Sequence, residues 1–317
     1  MGFVVVTGAS GFIGKEVCRR LVAQGHAVRA IVRRPGSAAV AGQPIEESIV
    51  GDLSDCLWNP AIFADADAVV HLAARVHRDN AEEAGVDAVY YRENAELTHA
   101  LAETAQLAGV RRFVFMSSVK ALGERSGCAP LRCGETPRPE DAYGRSKLAA
   151  EQLLAQISAV SGLEIAIIRS PLVYGPEARA NFRTLVRAIE RGVPLPFAAV
   201  ENRRSIVSIW NLADFVVRCL GPLPATSCVF HVADQRPVST PELMRLIGAG
   251  LGRKARLVSV PTVLLEWIFR ATGRGAWVDR LLGSLELDTS QSFNALGWVP
   301  PHSVDDGIMR SLQDRRQ

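Results

Sequence analysis

Apolar positions along the chain follow two rhythms, and their alternation sets the expected architecture. Val4-Val5-Val6-Thr7 is a short β-branched run of the kind carried by a strand covered on both faces. A helical pattern then opens at Phe12 and continues through Val17, Cys18, Leu21 and Val22. Further strands are expected at 27–32, 45–50, 68–74, 112–116 and 165–168. Between them, 82–108 carries Val86, Tyr90, Leu97, Leu101 and Ala105 at helical spacing, and another helix opens at Asp141 and runs on through Leu148, Leu153, Leu154 and Ile157. Strand alternating with helix predicts an α/β fold, doubly wound around a mostly parallel sheet. Beyond residue 175 the elements shorten. Helices are expected at 181–189, 211–220, 241–251, 261–271 and 277–282, and strands at 206–209 and 228–232. The expected organisation is a larger unit over 1–175 and a smaller C-terminal lobe over 176–317, with some elements crossing back.

The first strand and first helix are joined by a turn carrying Gly8, Gly11 and Gly14 among Ala9, Ser10, Phe12 and Ile13. Such a turn makes a cradle for phosphate. The first glycine permits the sharp bend, the second lets backbone approach a pyrophosphate, and the third lets helix pack on strand. The helix N-terminus adds N–H groups and partial positive charge. A dinucleotide cofactor and a Rossmann-type sheet are therefore expected. The second strand ends in Val32-Arg33-Arg34, where a fold preferring NAD places an acid for the ribose hydroxyls. Arginine at that point accommodates a 2′-phosphate, so NADP(H) is favoured and NAD(H) is the alternative.

Other strand ends carry further candidates. Asp52 follows the third strand, and the fourth runs through His71 and Leu72 into Ala73 and Ala74, small residues that suit close approach to a ligand. His71 is expected to be packed and hydrogen-bonded rather than catalytic. Asn94 falls inside the long helical stretch and needs partners if buried. The fifth strand ends on Ser117-Ser118, where an open parallel sheet puts its site. Tyr143 and Lys147 stand one turn apart and share a helix face. An ammonium held near a phenol lowers its pKa from about 10, which makes a tyrosine usable as acid or base near neutral pH.

Composition narrows the classes. With 317 residues, 48% hydrophobic and 22% charged, the chain suits one large domain or a large domain with an appended lobe. A net charge of +3 is too small to imply nucleic acid, and only the short tail Arg315-Arg316 is notably basic. The six cysteines form no CxxC pair, which favours buried thiols in a reducing compartment over a disulfide framework, and no metal site is expected. The N-terminal strand lacks the basic n-region of a signal peptide, so a cytoplasmic protein is expected. The apolar stretch 257–269 holds Pro261 and Glu266 and falls short of a bilayer span, so no integral membrane segment is expected. It reads as a core helix, ahead of peripheral membrane contact.

Taken in order, Thr7 to Gly14, Gly51-Asp52-Leu53, His71 to Ala74, Asn94, Ser117-Ser118, Tyr143 to Lys147 and Arg169 to Pro176 closely resemble the extended short-chain dehydrogenase/reductase family, also called the NAD-dependent epimerase/dehydratase family. The separation of Ser118 and Tyr143 suits that family's active site. The resemblance implies Tyr143 as catalytic acid/base, Lys147 as the group that tunes it and holds the nicotinamide ribose, and Ser118 as a bond to the reacting oxygen. It implies Asp52 and Leu53 at the adenine, with Leu72, Ala73, Ala74, Asn94 and Pro171 along the cofactor. Ser117, Asn181 and Arg204 would meet a nucleotide sugar, and Arg280 is a looser match.

The runs Ser117 to Lys120, Pro194 to Phe197 and Asn202 to Ser205 are similar to a bacterial branch that acts on UDP-sugars of surface polysaccharides. The implied reaction is NADPH-dependent reduction of a UDP-4-keto-6-deoxy-hexosamine at C4. The alternatives are a UDP-sugar 4-epimerase with tightly bound NAD and, more remotely, a dinucleotide-sensing protein without chemistry. Relatives of this kind imply a homodimer through the helices near 82–108 and 141–161.

Overall fold

The computed structural model describes residues 3–38, 45–76, 85–178, 181–225, 227–273 and 275–313, without the side chains of 56–58, 181 and 276. The expected start of the second helix at 82–84 and the Arg315-Arg316 tail lie outside that description.

β1 (Phe3–Thr7) sits near the middle of a seven-stranded sheet. Its companions are β2 (Ala27–Val32), β3 (Ile45–Ile49), β4 (Ala66–His71), β5 (Arg112–Ser118), β6 (Glu164–Ser170) and β9 (Ser227–His231). The order is β3-β2-β1-β4-β5-β6-β9, and every neighbouring pair is parallel. Strand order reverses direction between β1 and β4, which opens a crevice at their carboxyl ends. This is the α/β doubly wound architecture expected from the pattern.

Alternation along the strands assigns the two faces. Val4, Val6, Val114, Met116 and Ile168 point to the side covered by α1 (Phe12–Ala23) and α6 (Ile209–Arg218). Val5, Val69, Phe113, Phe115 and Ile167 point to the other, where α3 (Leu97–Leu107) and α4 (Ala142–Ser161) pack. Upstream of α3, α2 (Val86–Tyr90) continues through a π-helical stretch at Tyr91–Glu96, so the single helix expected here is wound wider where Asn94 lies. Such widening is common at functional sites.

The lobe has its own core around Tyr174, Phe182, Val186, Phe197, Met244 and Ile308. It is framed by a two-stranded parallel pair, β7 (Leu172–Tyr174) and β8 (Ile206–Ser208), and by α5 (Asn181–Glu190), α7 (Thr240–Gly250), α8 (Thr262–Ala271), α9 (Ala276–Leu281) and α11 (Val304–Gln313), whereas α10 (Ser290–Leu296) packs beside β9 on the sheet core. Asp234 ties it together: one carboxylate oxygen accepts from Tyr174 Oη at 2.7 Å, and the other from Asn211 Nδ2 and the Ser208 amide. The core reading of 257–269 needs correction. Leu265 is buried, yet most of α8 faces outward, because apolar composition alone does not say which side meets the core.

Candidate active site

The glycine turn lies at the crevice, and each glycine answers a close approach. Gly8 has φ +69, and a Cβ there would stand 2.7 Å from the Ala73 amide nitrogen. A Cβ on Gly14 would stand 2.1 Å from the Gly8 carbonyl oxygen, so α1 can start only with glycine at that position. α1 has no capping side chain and no acid in its first turn. Its leading N–H groups therefore suit an anion, and the residues present fit a pyrophosphate. Ser10 and Gly11 are exposed, while Phe12 and Ile13 are half-buried.

Arg33 and Arg34 are exposed just beyond β2. Asp52 lies beyond the neighbouring β3, its carboxylate accepting from the Ser54 amide and hydroxyl. Those bonds, with a smaller contribution from the charge of Arg33, hold Asp52 below the usual carboxylate range. Leu53, Leu72, Ala73 and Ala74 are half-buried, and Pro171 is buried after β6. Asn94 is buried with partners throughout. It accepts from the Arg75 amide at 2.7 Å and donates to the Arg75 carbonyl and to Ser146 Oγ. With both amide hydrogens so engaged, Asn94 braces the loop after β4 against α4.

α4 starts where β5 ends. Asp141 caps it, accepting from the Gly144 amide at 2.7 Å. A Cβ on Gly144 would lie 2.4 Å from the Lys120 carbonyl oxygen, so glycine lets the helix close on the segment after β5. Lys120 adds ion pairs to Asp141 and Glu124. The result brings Ser118, Tyr143 and Lys147 together. The Tyr143 phenol is hydrogen-bonded to Ser118, and Ser118 Oγ also accepts from the Lys120 amide at 3.2 Å. Lys147 is buried, its Nζ donating to the Met116 carbonyl at 2.9 Å and lying 5.9 Å from the Tyr143 ring centroid.

The electrostatics differ from the expectation of a depressed phenol. Burial and then the Asp141 carboxylate push Tyr143 above its ordinary value, with only the bond to Ser118 pulling down. Burial also pulls Lys147 down to about 7, opposed by the charge of Glu151. Sequence spacing placed the ammonium near the phenol but carried no measure of how deeply both are buried.

Ser117 is not part of this group. It faces α4, as Phe113 and Phe115 do, but donates to Glu151, which forms a buried pair with Arg169 at 2.6 Å. Glu151 and Arg169 were not foreseen as a unit, although Tyr143, Lys147 and Glu151 repeat at four-residue spacing on one helix face.

In the lobe, Arg204 Nη1 donates to the carbonyls of Asp279 and Gly283 at 2.8 Å each. Burial lowers its pKa, opposed by the negative charges of Asp279 and Glu124, with a smaller lowering from the charge of Arg280. Arg203 instead points outward and pairs with Glu286. The side chain of Asn181 lies outside the described residues. Among the described residues no group of three or more His, Cys, Asp or Glu is placed to hold a metal, and no helix is long and apolar enough to cross a membrane.

A glycine cradle at the switch point and a Ser-Tyr-Lys group at the next strand ends can now be set beside known proteins. The model of the NAD dependent epimerase/dehydratase family matches residues 4–224. The chain belongs to this family. It is 35% identical over 314 residues to a UDP-glucose 4-epimerase of Vibrio cholerae, covering 98% of this chain and 94% of the relative. Its fold matches MoeE5, solved in complex with UDP-glucuronic acid and NAD, with a TM-score of 0.79 and 25% identity over 99% of both chains. A UDP-N-acetylglucosamine 4-epimerase from Bacillus cereus matches at TM-score 0.80 over 100% of both chains; at 21% identity, this likeness is one of fold. The enzyme's cofactor is accordingly a nicotinamide dinucleotide.

Proposed function

We propose that the enzyme inverts C4 of a UDP-linked hexose or hexosamine. The observation that carries this reading is the 35% identity to a UDP-glucose 4-epimerase along nearly the whole of both chains. Residues 1–175 then hold the dinucleotide and 176–317 most of the nucleotide sugar, with Asn181, Arg204 and Arg280 toward the diphosphate. A guanidinium anchored through backbone carbonyls, as Arg204 is, suits that doubly charged group.

In this reading the nicotinamide supplies the place where hydride is held between its removal from C4 and its return to the other face. The chain's residues handle the proton. Tyr143 takes it from the C4 hydroxyl as phenolate and gives it back to the ketone oxygen as phenol. Ser118 bonds the same oxygen and favours the phenolate that burial opposes, and Lys147 would add to this while its ammonium is charged. Glu151 supports the charged form of Lys147.

A second reading, NADPH-dependent reduction of a UDP-4-keto-6-deoxy-hexosamine, is favoured by Arg33-Arg34 and by the lack of an acid at the end of β2. One experiment separates them. Purified enzyme is given UDP-glucose or UDP-N-acetylglucosamine without added cofactor and the sugar product is identified; in parallel, NADPH oxidation is followed with a UDP-4-keto sugar. Interconversion of C4 epimers without added cofactor supports the epimerase. Stoichiometric NADPH consumption with no epimer formed supports the reductase.

A further inference from the structure

α8 presents its apolar side to solvent. Leu265 and the half-buried Phe269, whose ring stacks on Phe197, hold the helix to the lobe. Val263, Leu264, Trp267 and Ile268 form a continuous stripe on the opposite face, with Val263 77% and Trp267 68% exposed. A surface helix that only needs to cover a core carries polar residues on that side. On α9, Trp277 is 41% exposed and its ring lies 6.1 Å from Phe269, so aromatic surface continues past the end of α8. An apolar surface of this extent marks a contact with something else.

Charge around the stripe indicates what that partner is. Lys254 and Arg256 are exposed on the segment leading into α8, and Arg270 is exposed at its end. The segment is fixed in place, since the Leu195 amide donates to the Arg256 carbonyl and the Val258 amide to the Leu195 carbonyl. Glu266 is the one acid within α8, and it faces Arg270 at 4.0 Å. Cations thus precede and follow the stripe along the chain, Arg270 being shared with Glu266. A second copy paired across a two-fold axis would set cation against cation. Exposed tryptophan beside aliphatic side chains, with lysine and arginine at the rim, matches the chemistry of a bilayer interface carrying negative headgroups.

We propose that the outward face of α8 docks the enzyme on an anionic phospholipid surface. The helix lies in the plane of the interface, with Val263 and Trp267 entering the acyl boundary and Lys254, Arg256 and Arg270 meeting phosphate groups. This proposal stands on the geometry of the lobe and is independent of which C4 reaction the site performs.

The test is flotation of the full-length enzyme with vesicles of phosphatidylcholine, with or without phosphatidylglycerol. It is repeated with a Val263→Glu/Trp267→Glu variant whose fold is checked by thermal melting and whose dinucleotide binding is checked by titration. The expected result is flotation with the phosphatidylglycerol vesicles, a blue shift in tryptophan emission, weakening by salt, and loss of most of the bound fraction in the variant. Enzyme that stays in the aqueous fraction with both vesicle types overturns the proposal. So does flotation unaffected by the double substitution, or a dimer in vesicle-free solution that the substitution dissociates, which would make a second copy the occupant.

Discussion

Thr7 Oγ1 lies 2.7 Å from His71 Nδ1, joining residues that are register partners at the carboxyl ends of β1 and β4. On the other side of the ring, Nε2 is 3.0 Å from Thr98 Oγ1, and that hydroxyl donates to the Asn94 carbonyl. Thr98 can therefore only accept from the ring, which puts the proton on Nε2 and leaves Nδ1 to accept from Thr7. The switch-point crevice is thus held by a neutral imidazole with both nitrogens used. Its burial, reinforced by the charge of Lys147, pulls its pKa from 6.5 down to about 3.

The first prediction follows from that shift. Between about 3 and 6.5 the unfolded chain binds a proton here and the folded chain does not. The stability His71 contributes is fully present above about 6.5 and is lost as pH falls toward 3. Denaturant unfolding of the wild type and of His71→Leu across this range should give a stability difference that is flat above 7 and shrinks on acidification. An imidazole that titrates near 6.5 by NMR in the folded enzyme contradicts the buried neutral ring.

A second prediction concerns Glu151 and Arg169, both 5% exposed at the side chain. Glu151→Leu leaves a buried guanidinium uncompensated and should cost about 3–5 kcal/mol in unfolding free energy. Adding Arg169→Met to the same protein should restore much of that loss, since a well-packed apolar pair avoids the desolvation cost. A double variant no more stable than the single one would show that the pair is needed for more than charge balance.

Third, Tyr143→Phe should lower kcat by about 10²–10⁴-fold, the range lost when a positioned acid/base is removed. Dinucleotide affinity should change little, because the glycine turn and the leading amides of α1 are untouched. Retention of most activity would remove Tyr143 from the proton-transfer role.

The fourth prediction tests the adenosine end. Arg33→Asp should shift the ratio of kcat/KM values, or of dissociation constants, from NADP(H) toward NAD(H). The new carboxylate would repel a 2′-phosphate and accept from ribose hydroxyls. An unchanged ratio assigns Arg33 a solvated position and leaves cofactor choice to other contacts.

Much of this was legible because it is local. The need for glycine at 8 and 14 was legible, since a tight strand-to-helix turn imposes its residue types within a few positions. Tyr143 and Lys147 likewise read as one face because four-residue spacing is fixed by helix geometry. β8 was read as a strand over 206–209, but its partner β7 was missed, since a three-residue strand carries almost no period and the pairing joins segments remote in sequence. α10 was missed for a related reason, being a seven-residue element amid loops, and α11 was missed as well. Arg204 was recognised as distinctive, but its anchoring on the carbonyls of Asp279 and Gly283 depends on contacts no spacing reveals. For α8 the apolar content was plain and its orientation was not, because a one-sided pattern does not say which side is solvated.

β9 joins the sheet only after the chain has left it, built β7, α5, β8 and α6, and come back. Before that return, the outer edge of β6 has no neighbour, and until α6 is made the face around Val114 and Ile168 lacks Leu212, Phe215 and Val216. A polypeptide ending at residue 175 would thus keep the whole glycine turn yet expose an open strand edge beside bare apolar surface, the condition for aggregation. The sheet is consequently complete only with residues 209–231, so a different lobe could be grafted on only if it also handed the chain back to α6 and the strand that closes the sheet.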